Sequence, residues 1–329
     1  WWGLASLPKL NYNSKKLREL MYEGKNSIVK KWLKKPYSLF GWRIDVGNMT
    51  GRLGADDMHD EVMHGIRKAM DEVKPDAWLV AENGDFVASD LNGFGWHGAM
   101  NYQGFMRPVW NWVNLNTTIG GGFQGLPFSM PKINGGQLVA SMSSFNGSIP
   151  WRSLVASMVL LDSHDTARMR TVVLGDKKLH LTAMGLLLTY PGVPSIFAGD
   201  EIGLEGSSGE DSRRTINWED SSSWDLDFLS EVKQLISIRK KHDAFINGGL
   251  RWVLVEDDCL AFLRESKKET ILVFVSRKAV KTSIDLNKLG YVAKESLYGI
   301  SGDGSTITIN EGSPAQGVWV LESNQKLSG

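Results

Sequence analysis

Three apolar, β-type runs each deliver an acidic residue at or just past their C-terminal end, and they constrain the fold of this chain more than any other feature. GWRIDV (41–46) carries Asp45, AWLVAE ends at Glu82, and VLLDSHD (159–165) ends at Asp165. In the first run Trp42, Ile44 and Val46 alternate with Arg43 and Asp45, the period-two pattern of a strand with two unlike faces. Between Asp45 and Glu82 lies a helical pattern with Met58, Val62, Ile66, Met70 and Val73 on one face. Asp56 or Asp57 is placed to cap its start, and Pro75 closes it. Strand, helix, strand is the repeat of a parallel sheet, in which strand-end side chains gather on one rim.

The rhythm extends in both directions. A helical pattern over 14–34, interrupted at Gly24 and stopped by Pro36, precedes the first strand. A short strand at 97–101, a Trp-rich helix over 104–114, a Gly/Pro-rich loop over 120–136 and helical patches at 137–145 and 150–157 follow Glu82. Strands at 158–162 and 194–198 flank a helix over 179–190, and a further helix spans 226–241. Past Asn247-Gly248-Gly249 the pattern turns to period two in RWVLVE, CLAFLRE, ETILVFVS, TSIDL, STITI and GVWVLE, the mark of a small antiparallel β domain. Five parallel strands can be placed, whereas a closed (β/α)₈ TIM barrel needs eight. The expected architecture is therefore α/β: an incomplete (β/α)₈ barrel of about five βα units over 1–246, then a small antiparallel β-sandwich over 247–329.

Composition removes several function classes. Lys plus Arg equals Asp plus Glu, at 37 each, which argues against nucleic acid or an anionic membrane as partner. No apolar run has the length of a membrane span. The single cysteine, Cys259, rules out an intrachain disulfide and a multi-cysteine metal site, and the six histidines form no H-E-x-x-H pattern. A structural calcium ion has no support in the sequence. The opening WWGLASLPKLNYNS lacks the basic and apolar regions of a signal peptide; with the single cysteine this favours a cytoplasmic location, and a disulfide-free secreted enzyme would look the same.

A carboxylate cluster in a cleft is the machinery for cleaving an acetal, and that chemistry requires no cofactor. Any one strand-end carboxylate can equally cap the following helix. Arg43, on the same face as Asp45, would keep that carboxyl ionised, as a nucleophile requires. Glu82 follows the apolar or small residues Trp78 to Ala81; a partly desolvated glutamate retains its proton and can serve as general acid, then as base. His164 and Asp165 could hold sugar hydroxyls and stabilise developing positive charge. They could also belong to a hydrolase triad, but no G-x-S-x-G elbow accompanies them.

GWRIDVGN, AWLVAE, LLDSHDTAR and the opening LPKLN resemble the conserved regions of the α-amylase superfamily of glycoside hydrolases. LPKLN and GWRIDV resemble in particular the neopullulanase, cyclomaltodextrinase and maltogenic amylase branch. MNYQGF (100–105), AGDEIGLEG (198–206) and EDSRRTINWED (210–220) are similar to further segments, so the likeness covers most of residues 1–245. The resemblance implies a retaining α-glycosidase that acts on α-glucans or maltooligosaccharides through a covalent glycosyl-enzyme. It implies Asp45 as nucleophile with Arg43 as its paired arginine, Glu82 as acid/base, and Asp165 as transition-state stabiliser. It implies substrate-binding roles for Arg43, for His164 and for Arg168, the arginine that follows that motif. The same intermediate would serve a transglycosylase, and a non-catalytic sugar-binding or interaction module is the reading from another class. The family's Asn-His strand ahead of LPKLN and its first three barrel strands have no counterpart here. Met49 falls where relatives carry His or Glu, and NGDF after Glu82 lacks the Trp common there. The chain by itself is thus expected to be inactive, unstable or completed by a missing N-terminal barrel half or another chain.

Overall fold

The strands that carry Asp45 and Glu82 are adjacent and parallel. Gly41–Ile44 pairs with Trp78–Ala81 in the register Gly41↔Trp78 to Ile44↔Ala81, so the next residue of each, Asp45 and Glu82, leaves the sheet at the same end. These pairings come from a computed structural model, which describes residues 5–84, 86–115 and 130–324. The chain divides into two compact units: Trp1–Gln103 with Phe145–Met158, and Gly104–Ser144 with Val159–Gly329.

In the first unit a three-stranded parallel sheet runs Gly41–Ile44, Trp78–Ala81, Gly98–Ala99. Met100 adds a parallel bridge to Met158. The sheet buries one face beneath helix His59–Asp71, which contributes Val62, Met63, Ile66, Ala69 and Met70 to a core shared with Tyr22, Val29, Leu33 and Leu79. Trp42 and Ile44 pack against that core, as their alternation requires. The alternation stops at Val46, which adopts a left-handed conformation (φ 45°, ψ 48°) and starts one 3₁₀ turn, Gly47–Met49. The cap of the long helix also differs from expectation. Met58 occupies the N-cap position, Asp56 and Asp57 pair with Arg52–Leu53 in a two-residue antiparallel ladder, and Asp57 accepts from the His59 amide at 3.1 Å. The earlier helical pattern is broken as Gly24 suggests: Lys15–Arg18 continues as a π-helical turn, Glu19–Glu23, and helix resumes at Ile28–Leu33.

In the second unit Asp176 caps helix Lys177–Thr189, accepting from Leu179 N at 3.0 Å. Helix Leu226–Lys241 has the bounds expected of it, with Asp225 as its cap. The Gly/Pro-rich stretch lies outside the described residues up to residue 129. From Gly249 onward the chain is antiparallel β. A five-stranded sheet, ordered Tyr291–Gly299, Ala315–Ser323, Thr270–Ser276, Cys259–Glu265, Gly249–Val255, faces a two-stranded ladder of Val280–Asp285 and Thr306–Glu311. Cys259, Leu263, Leu272, Phe274, Ile284, Ile307, Ile309 and Trp319 fill the space between. The opposite face of the larger sheet is covered too: Thr182 Oγ1 donates to Ser276 O, and Gln316 Nε2 to Leu181 O, both at 3.3 Å. Cys259–Glu265 and Thr270–Ser276 are therefore buried on both faces and read as continuous apolar runs. Buried Arg264 donates to Thr189 O, Phe245 O and Gly248 O, satisfying carbonyls at two helix C-termini. Tyr291–Gly299 had no counterpart in the sequence reading. Its register slips at Ala293/Glu295 and again at Ser296/Tyr298, and each slip erases the period-two signal. No helix among the described residues is long and apolar enough to cross a membrane.

Candidate active site

Asp45 and Glu82 are held by one side chain. Arg43 Nη1 donates to Asp45 Oδ1 at 2.6 Å, and its Nη2 lies 3.1 Å from Glu82 Oε2. Alternation along the first strand predicts the contact with Asp45. The contact with Glu82 comes from the neighbouring strand and only the register supplies it. The two carboxylates sit in unlike surroundings: the Asp45 side chain is 78% exposed, that of Glu82 14%. Burial of Glu82 favours a neutral acid, and the guanidinium beside it favours a carboxylate.

The turn after Asp45 is fastened to Glu82 by its own backbone. Val46 N donates to Glu82 Oε2 at 2.8 Å, and Gly47 N to Glu82 O at 2.7 Å. Val46 must turn left-handed to aim both amides this way, a conformation that costs a β-branched residue about 1–2 kcal/mol. Gly47 is required for a different reason: a Cβ there would lie 2.6 Å from Ala81 Cβ. A strained non-glycine residue immediately after a candidate nucleophile is the kind of outlier that marks functional sites. Met49 lies in the 3₁₀ turn, its amide bonded to Val46 O at 2.9 Å.

The second unit carries Asp165, His164 and Arg168. Asp165 Oδ2 lies 3.4 Å from His164 Nε2, and its Oδ1 lies 3.2 Å from Arg213 Nη2. Arg213 also donates through Nε to His164 O at 2.9 Å, so one guanidinium fixes both residues. Sequence reasoning did not single out Arg213, although it stands inside the quoted EDSRRTINWED segment. The loop that presents it is pinned by Asp211, whose carboxyl is lowered to about 2 by the Ser207 amide and then by Arg214.

Arg168 is not placed as a sugar contact. It is 1% exposed, stacks over Phe197 at 3.9 Å, and donates to Asp200 Oδ1 (2.7 Å), Ser212 O (3.0 Å) and Ala198 O (3.0 Å). An arginine so committed holds the Ser163–Arg168 segment in place. Beneath it Asp162 and Asp200 are both buried, and Asp162 Oδ2 accepts from Met169 N at 2.6 Å. Desolvation pushes the Asp162 carboxyl up, and desolvation together with the Asp162 charge pushes Asp200 far above the usual carboxylate range. Among the described residues no three His, Cys, Asp or Glu side chains gather as a metal site would need.

The family model "Alpha amylase, catalytic domain" matches residues 2–225. An amylopullulanase of Thermoanaerobacter thermohydrosulfuricus is 28% identical over 95% of this chain and 22% of its own length. A Bacillus cyclomaltodextrinase is 27% identical over 82% of this chain and 43% of its own. Among solved structures, a debranching enzyme from Nostoc punctiforme superposes with a TM-score of 0.81 at 25% identity, covering 94% of this chain and 63% of that one. The chain thus spans less than half the length of these curated relatives.

Proposed function

The chain belongs to the alpha-amylase family, and from that membership we propose that the protein carrying it is a retaining glycosidase acting on α-glucans or maltooligosaccharides. The single observation that carries the reading is the Arg43 fork, which engages Asp45 and Glu82 at the ends of two registered parallel strands. Retention calls for about 5–5.5 Å between the two carboxyl groups, a spacing that one guanidinium engaging both allows.

In the proposed reaction Asp45 attacks the anomeric carbon from the face opposite the leaving group, and Glu82 gives its proton to the departing glycosidic oxygen. The C–O bond to the leaving sugar breaks as the ester to Asp45 forms. Glu82, now a carboxylate, takes a proton from water as that water attacks the same carbon. Asp45 is released and the configuration is restored. The exposure of Asp45 suits a nucleophile that must meet a sugar ring, and the burial of Glu82 suits a group that must regain a proton each cycle. Asp165, with His164, is proposed to stabilise the oxocarbenium-like transition state; Arg213 and Arg168 orient that segment. The printed names of the relatives support the α-glucan substrate class.

Proton NMR of maltooligosaccharide cleavage tests the stereochemistry: the first-formed product should be the α-anomer. A fluorinated glycosyl fluoride that stalls the second step should leave a mass label on Asp45. A β-anomer as first product, or a label on another residue, overturns the proposal.

A further inference from the structure

We propose that His59 is a positioning residue for Asp45 and Glu82, a buried link that fastens the turn after the first to the segment after the second; the proposal rests on the catalytic reading above. His59 opens helix His59–Asp71 and is 1% exposed. Its Nδ1 lies 2.9 Å from Thr50 O and its Nε2 lies 3.3 Å from Asp90 Oδ2. Thr50 belongs to the turn after Asp45, and its Oγ1 donates to Val46 O at 3.3 Å. Asp90 belongs to the segment after Glu82, where it accepts from Asn83 Nδ2 at 3.5 Å and from Ser89 Oγ at 3.1 Å. Val46 N closes the ring on Glu82 Oε2. The circuit runs Val46, Thr50, His59, Asp90, Asn83, Glu82 and back, and both proposed reacting carboxylates sit on it or beside it. His59 joins its two halves through a side chain that belongs to neither loop.

Thr50 O can only accept, so Nδ1 brings a proton to it. Nε2 faces the Asp90 carboxyl at 3.3 Å without hydrogen-bond alignment, and a second proton there makes the contact an ion pair. Trp96 covers the ring edge-on at 6.2 Å. Burial works against the charge, but Asp90 and the Thr50 carbonyl outweigh it and raise the imidazole above its ordinary value. The other charged groups facing it are Arg52, which opposes the proton, and Asp57, which favours it. Because the folded-state value is raised, the link is fully charged at acid pH and is lost as pH rises through that value. The alkaline side of the kcat profile should therefore carry the ionisation of His59 beside that of the general acid Glu82.

The test pairs His59→Gln and Asp90→Asn with ¹⁵N NMR of the unsubstituted protein. Both variants should lower kcat roughly 10- to 100-fold with KM changed by no more than about twofold, since misplacement of the reacting groups costs rate more than binding. The alkaline limb of kcat should change in His59→Gln, keeping the ionisation of Glu82 and losing that of His59. Imidazole ¹⁵N shifts should show both His59 nitrogens protonated at about pH 6, with titration above the ordinary histidine value of about 6.5. A wild-type pH profile in His59→Gln, or a neutral His59 ring at that pH, overturns the proposal. If a variant does not fold, the NMR titration decides. An inverted product would overturn the catalytic reading and leave the His59 titration standing, so the two failures are separable.

Discussion

Arg43→Lys probes the site with least disturbance, because it keeps the positive charge and removes only the fork. A lysine ammonium is a point charge on a flexible stem and cannot engage two carboxylates as a planar guanidinium does. Two contacts are at stake. The bond to Asp45 is short, 2.6 Å, but that carboxylate is 78% exposed, so screening leaves it worth at most about 1 kcal/mol. The contact with Glu82 is the larger: that side chain is 14% exposed, so the charge pair at 3.1 Å is screened less, although it is not aligned as a hydrogen bond. Together the two ion pairs amount to about 1–2 kcal/mol of positioning. At about 1.4 kcal/mol per decade this becomes a fall in kcat of roughly 5- to 30-fold. KM should stay near its original value, because Arg43 is asked to align the carboxylates and not to hold the sugar. Initial rates of reducing-end release from a maltooligosaccharide at saturation measure the change, and a thermal melt shows that the variant is folded. A folded Arg43→Lys protein with kcat within about threefold of the original would refute the idea that the shared guanidinium organises the pair.

Val46→Gly should be more stable and less active. Relief of the left-handed strain gains about 1–2 kcal/mol and added chain entropy costs about 0.5–1, leaving about 0.5–1 kcal/mol in denaturant melts; kcat should fall because the two amides that grip Glu82 are no longer held. A stability loss beyond about 1 kcal/mol would show that Val46 is there for packing. Asp162→Asn removes one of two buried carboxyls that hold more protons folded than unfolded. The original protein loses stability as pH rises through that window, so the variant should melt a few degrees higher at neutral pH, with the advantage vanishing below the ordinary aspartate value of about 3.9. A variant that melts lower at neutral pH would show that the Asp162 carboxyl stabilises the fold instead, through its bond to the Met169 amide.

Much of the first unit was legible because local pattern and tertiary demand agree there. Trp42 and Ile44 alternate with Arg43 and Asp45, and the core lies on the side they predict. In the second unit helix Leu226–Lys241 likewise announces both ends, with Asp225 before it and His242 after its basic last turn. Where the two demands part, the pattern misleads. Strand Tyr291–Gly299 was invisible because two bulges break its alternation. Asp57 resembles a cap yet sits in a hairpin, because Arg52 and the His59 amide compete for its carboxylate. Arg168 follows the His164–Asp165 pair but lies buried against Asp200.

Sequence alone placed Asp45 and Glu82 each at the C-terminal end of its own apolar run, since a strand's pattern is a property of the backbone's own period and needs no partner. It also placed Arg43 on Asp45's side. That the same guanidinium reaches Glu82, that Val46 turns left-handed to bind it, and that His59 bridges to Asp90 were decided by tertiary structure. Each depends on the register between two strands or on the path of a loop, and those are set by the sum of many weak contacts between segments far apart in the chain, which no short stretch of residues encodes.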